Sequence, residues 1–156
     1  MARITRVLIL LLLISGCSME TGPALLPDPV PDQEMAPSKS GALLEILDVR
    51  TDDGQYKISY ELTNQSEDLL GYGGYAALEK KTAKGWHGLI YSDAVFYRDP
   101  EFRDFGKMLN PGGSDRMVLD TVDIGTALNP GTYRLVKTVN SKDGQEISVA
   151  AEFEVK

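Results

Sequence analysis

One cysteine and one histidine occur in the 156 residues of this chain. A single Cys excludes an intrachain disulfide, and one Cys with one His falls short of the usual four-ligand zinc site. Ser-His-Asp or Cys-His catalysis would have to run through His87 alone, and no G-x-S-x-G elbow offers it a nucleophile. Cations are also scarce. Lys+Arg is 16 against 23 Asp+Glu, a formal charge of −7 with a pI near 4.7. That balance argues against a nucleic-acid surface, which rests on clustered cations. Gly71-Tyr72-Gly73-Gly74 lacks the Lys-Ser/Thr and helix that would make it a phosphate loop. The acidic groups Asp52-Asp53, Glu67-Asp68, Asp99-Glu101-Asp104 and Asp115 with Asp120 and Asp123 lack D-x-D-x-D-G spacing. They read as solvated surface rather than calcium ligands. Neither metal nor cofactor is expected. The one unbroken apolar run, Val7 to Ile14, covers roughly 12 Å of helix, short of a hydrocarbon core of about 30 Å.

What is present at the N-terminus has a purpose outside the fold. Arg3 and Arg6 precede the apolar run, which ends in Ile14-Ser15-Gly16-Cys17. The arrangement is that of a secretory signal. The last four residues resemble the bacterial lipobox: an aliphatic residue, two small ones, then the Cys. The resemblance implies cleavage between Gly16 and Cys17 and attachment of diacylglycerol to the Cys17 thiol, anchoring the mature chain in the cell membrane or outer membrane, domain on the extracytoplasmic side. Two or three acyl chains hold stably, since each buried CH₂ contributes about 0.8 kcal/mol. Losing Arg3 and Arg6 takes the formal charge from −7 to −9. The competing reading is an ordinary secretory signal followed by a chance Cys.

Five of the eight prolines, Pro23, Pro27, Pro29, Pro31 and Pro37, crowd the next segment. Proline fixes φ and removes a donor, which favours polyproline II. Residues 17–40 are therefore expected to be a disordered tether, with 18–40 reaching roughly 70 Å at about 3.1 Å per residue.

From about Gly41 onward the composition changes, and all twelve aromatic residues lie there. Tyr56, Ile58, Tyr60 and Leu62 alternate with polar residues, as do Ile147, Val149, Ala151, Phe153 and Val155 in most of the intervening places. Period-2 alternation predicts half-buried antiparallel strands. Further candidates are 43–50, 72–81, 86–91, 94–98, 114–121 and 132–139, separated by turn signals such as Asp53-Gly54 and Asp143-Gly144. Seven or eight short strands and no sustained 3.6 period predict an all-β sandwich over residues 41–156.

Leu128-Asn129-Pro130-Gly131-Thr132-Tyr133, leading into Arg134-Leu135-Val136-Lys137, resembles the tyrosine corner of immunoglobulin-like sandwiches. With the Gly71–Lys80 tract, Gly85-Trp86 and the final Phe153-Glu154-Val155, the domain resembles the bacterial immunoglobulin-like domains of envelope lipoproteins. The resemblance implies structural roles for Tyr133, Leu128, Pro130 and Gly131, and a non-enzymatic module that binds a protein or envelope polymer. Leu135 stands where an antibody domain has its core Cys, so a hydrophobic contact replaces the disulfide. Lys137 shares the inward parity of Tyr133 and Leu135. It either snorkels near the sandwich end or a bulge resets the parity.

His87 reads as a surface strand residue, and Trp86 as buried or half-buried in the sandwich. The long connection at 92–113 combines Phe102, Arg103 and Phe105, residue types common in binding hot spots, and is the candidate binding loop. A β-sandwich protease inhibitor presenting this loop is the alternative function. An accessory subunit of an envelope enzyme is a third.

Overall fold

The computed structural model describes residues 22–90, 106–122, 125 and 127–156. Ten strands run in order: β1 (Ser38–Lys39), β2 (Ala42–Asp52), β3 (Gln55–Asn64), β4 (Leu70–Tyr72), β5 (Ala77–Thr82), β6 (Gly85–Gly88), β7 (Lys107–Leu109), β8 (Ser114–Asp120), β9 (Gly131–Asn140) and β10 (Glu146–Val155). No helix occurs among the described residues, so none of them forms a helix long and apolar enough to cross a membrane.

All pairings are antiparallel. The first sheet runs β1-β2-β3-β8. In the second, β9 pairs with β10 along one flank; on the other it meets β5 first and then β4, with β6 outside β5 and β7 outside β4. The β2–β3 turn uses Asp53 (φ 47°) and Gly54 (φ 79°). Two successive positive φ values match the right-handed strand twist, which is why an Asp-Gly pair sits there. A register shift between Ile46 and Asp48 leaves Leu47 nearly half exposed on β2.

Alternation decides the interior. Leu44, Ile58 and Leu62 from the first sheet meet Leu78, Leu135, Val139 and Val149 from the second, all buried in one core. Leu135 fills the place of a core Cys with a hydrocarbon contact. The Tyr72 hydroxyl donates to Asp115 Oδ2 at 2.6 Å and so links β4 to β8 across the sandwich.

Three features depart from the sequence expectation. Strand count exceeds seven or eight because β1 and β7 are too short to show alternation, and because 72–81 is divided. Between the pairs Tyr72↔Val139 and Ala77↔Val136, residues 73–76 stand opposite only Lys137 and Thr138. That bulge lies in the strand facing Lys137, not in β9 itself. It turns the carbonyls of Gly73 and Tyr75 onto Lys137 Nζ, and Lys137 is buried inward rather than snorkelling out. The candidate strand 94–98 lies outside the described residues.

The third departure concerns the tether. Residues 22–37 form neither helix nor continuous strand, with bends at 27, 28, 31 and 37, but they are docked on the domain. Leu25 bridges Leu89 outside β6, Leu26 N donates to Gly88 O and Ile90 N to Ala24 O. The chain then crosses the outer face of the second sheet, Val30 N donating to Trp86 O, and reaches the opposite edge, where Ala150 N donates to Ala36 O. The reason is local. A proline-rich segment keeps its carbonyls and its few N–H groups free of helix or sheet pairing of its own, and two sheet edges supply both donors and acceptors for them. This strap covers the β6 edge, which would otherwise be open for pairing.

Candidate functional site

The strap crosses the outer face at one constellation of side chains. Register places Glu79 of β5 opposite Arg134 of β9, and β6 brings Trp86 beside them. Arg134 Nε lies 2.6 Å from Glu79 Oε2, and the guanidinium sits 4.6 Å from the Trp86 ring centroid. Arg134 is 1% exposed and Glu79 5%. Taking two charges out of water costs several kcal/mol each, so such a pair persists only when its remaining donors are satisfied. Here the strap satisfies them: Arg134 Nη2 donates to Asp32 O at 2.6 Å and Nη1 to Gln33 O at 3.3 Å. Gln33 completes the contact, accepting from Trp86 N at 2.8 Å through Oε1 and donating to Val30 O and Trp86 O through Nε2.

His87 is buried, not on the surface as expected: register sets it opposite Lys80, on the face of the sheet shared with Tyr133, and the strap's Leu26 carbonyl meets its ring. Its Nδ1 lies 2.9 Å from the Leu26 carbonyl, so Nδ1 carries the proton and donates. Nε2 is buried with no hydrogen-bond partner. Trp86 is buried, under the strap.

Arg134, Glu79 and Gln33 were not singled out by sequence reasoning. One signal existed. Val136 and Ala150 occupy outward positions of β9 and β10, yet both are apolar and buried. Apolar residues at outward places on two paired strands mark a covered face.

At the corner before β9, Tyr133 Oη lies 2.8 Å from Asn129 O and 2.9 Å from Asn129 Oδ1. Lys80 Nζ also bonds Asn129 Oδ1 and reaches Pro130 O at 3.4 Å. Leu128 is buried, Gly131 has φ 148°, and Phe153 stacks on Tyr133 at 5.8 Å. A Cβ at Gly131 would approach Lys80 Cε to 3.1 Å, in a backbone conformation side chains rarely adopt.

Of the acidic groups, Asp99, Glu101, Asp104 and Asp123 lie outside the described residues, and four of the others meet hydroxyls or cations. Asp115 takes Tyr72 and lies 3.6 Å from Lys107; Asp52 and Asp120 flank Lys57; Asp68 lies 3.7 Å from Lys142. Among the described residues no three His, Cys, Asp or Glu side chains are placed to hold a metal ion. An open cleft of about 420 Å³ lies beside Asp68, Leu69, Gly71 and Met108. Gly16, Cys17, Phe102, Arg103 and Phe105 lie outside the described residues; of the candidate loop 92–113, only 106–113 are described, forming β7 and the turn after it.

The family model described as a bacterial Ig-like domain matches residues 38–154. The chain belongs to that family. Among solved structures, this bacterial Ig-like domain is similar to the Northeast Structural Genomics Consortium target SoR45 at 13% identity and a TM-score of 0.44, covering 75% of this chain and 87% of the other. It is similar to a β-glucosidase from Kluyveromyces marxianus (17% identity, TM-score 0.32, 72% of this chain) and to β-glucosidase 3B from Thermotoga neapolitana (18%, 0.30, 74%). The Ig-like chain spans only 14% and 17% of those two enzymes. Comparison with curated proteins gives no match. The strap, residues 22–37, precedes the region that defines the Ig-like family.

Burial has a measurable consequence for the tyrosines of the Ig-like domain. Burial pushes Tyr60, Tyr72 and Tyr133 each up to about 12, with Asp115 adding to the effect at Tyr60 and Tyr72. These phenols ionise near 10 in the unfolded chain, so between pH 10 and 12 the unfolded state binds fewer protons than the folded one. Stability is therefore full below about pH 10 and falls as pH rises towards 12. A spectrophotometric phenolate titration should show part of the tyrosine absorbance released only as the pH nears about 12; complete release near pH 10 in the folded protein would contradict the burial.

Proposed function

We propose that this chain is a lipid-anchored module of the bacterial cell envelope, non-enzymatic, that binds a protein or envelope polymer. The observation that carries the proposal is the order of parts: a segment ending in Ile14-Ser15-Gly16-Cys17 comes first, then the strap, then a bacterial Ig-like domain. Such a domain presents surfaces on a rigid sandwich. Cys17 supplies the attachment atom, and removal of the preceding residues leaves it as the new N-terminus. The mature domain then sits on the extracytoplasmic side of the cell membrane or outer membrane.

Cys17→Ser tests the anchor. Metabolic labelling with radioactive palmitate should mark the wild-type chain and leave the variant unlabelled, and the variant should move from the membrane fraction to the soluble or unprocessed one. Label retained by Cys17→Ser would overturn the assignment.

A further inference from the structure

We infer that the outer face of the second sheet, built from Trp86, Arg134, Glu79 and the edge of β6, is a binding groove for a proline-bearing peptide, with the strap as its resident ligand. The inference deepens the binding role proposed above and names the ligand's chemistry.

The contacts divide in a way that suits an exchangeable ligand. Groups on the domain side grip the strap mostly by its backbone. Arg134 reads two successive carbonyls, those of Asp32 and Gln33. Trp86 O and Gly88 O accept from Val30 N and Leu26 N, Ile90 N donates to Ala24 O, and His87 Nδ1 donates to Leu26 O. Any extended segment can offer those groups. Sequence preference enters through Gln33, whose side-chain amide embraces both backbone groups of Trp86. It enters again through the close pass at Gly88, where a Cβ would meet Leu26 Cδ1 at 3.2 Å.

Part of the groove's framework lies within the domain itself. Arg134 is paired by Glu79 and stacked on Trp86 within the domain, leaving two donor groups aimed outward. A planar guanidinium held over an indole is a fixed two-donor fork, well suited to consecutive peptide carbonyls. On the ligand side, Pro23, Pro27, Pro29 and Pro31 each fix one backbone φ, so less chain entropy is lost on docking. Finally, the family-defining region begins at residue 38, where the strap ends.

Trp86 is the sole tryptophan, so its emission reports occupancy of the groove. The experiment uses the Cys17→Ser chain, which separates this question from anchoring: failure of the anchor appears only in palmitate labelling, failure of the groove only here. Val30→Asp with Gln33→Ala should loosen the strap in place and shift Trp86 emission to the red. A synthetic peptide of residues 22–37 should then return the emission saturably, and a scrambled peptide of the same composition should not. Arg134→Lys in the same background, which keeps the charge but loses the fork, should weaken the peptide by at least about tenfold. If the double variant does not fold, Gln33→Ala alone takes its place. An unshifted Trp86, no saturable response to the peptide, an equal response to the scrambled one, or undiminished binding by the Arg134→Lys chain would each overturn the inference.

Discussion

Arg134→Ala is expected to lower the stability of the domain by about 3–5 kcal/mol, a drop on the order of 10–20 °C in melting temperature. The loss does not measure the worth of the ion pair. It arises because Glu79, 5% exposed, is left buried without its counter-charge, while the carbonyls of Asp32 and Gln33 lose their donors and Trp86 loses its stacking partner. Removing both charges at once should be far milder. Arg134→Met with Glu79→Leu is expected to recover most of the loss, because hydrophobic replacement of a buried pair is often neutral or better. Urea denaturation of the two single variants and the double one closes the cycle. A single-variant loss below about 1 kcal/mol would mean that water reaches the pair.

Lys137→Ala is the second large effect expected, again about 3–5 kcal/mol. The side chain lies wholly buried at an inward position between Leu135 and Val139, so truncation opens a cavity in the core. It also strips the donor from the Gly73 and Tyr75 carbonyls that the β4–β5 bulge turns inward. Lys137→Met separates the two contributions, since it keeps most of the volume and removes only the donor. Its cost should be about 0.5–1.5 kcal/mol for each part-buried hydrogen bond lost. Wild-type stability in Lys137→Met would remove the capping role from the explanation.

Both residues illustrate where reading a sequence succeeds and stops. The inward parity of Lys137 is visible in the alternation Tyr133, Leu135, Lys137, because parity is local. Its resolution is not, because the bulge that accommodates it lies more than sixty residues earlier, on another strand. The sandwich itself follows from period-2 patterning with turn chemistry, and the Tyr133 corner is written in contiguous residues. Arg134 and Glu79 are each ordinary outward residues until register sets them opposite, across 55 positions of sequence. The strap was the hardest to foresee. Its docking is carried chiefly by main-chain groups, which side-chain patterns do not encode, and proline content reads as a spacer whether the segment is solvated or pinned. His87 changes from surface to buried because register turns it to the face of Tyr133 and the strap's Leu26 carbonyl meets its ring.

Docking of the strap also resets the length of the leash. Between Cys17 and Gly22 there are five residue steps, at most about 18 Å of extended chain, against roughly 70 Å had the whole proline-rich segment stood free. On a lipid-anchored chain this holds the β6 side of the domain within a fraction of its own diameter of the bilayer. Displacing the strap would return sixteen residues to the leash, roughly 50 Å. A peptide that takes over the groove would therefore lengthen the domain's reach from the membrane at the moment it binds, coupling occupancy of the outer face to the height at which the module works.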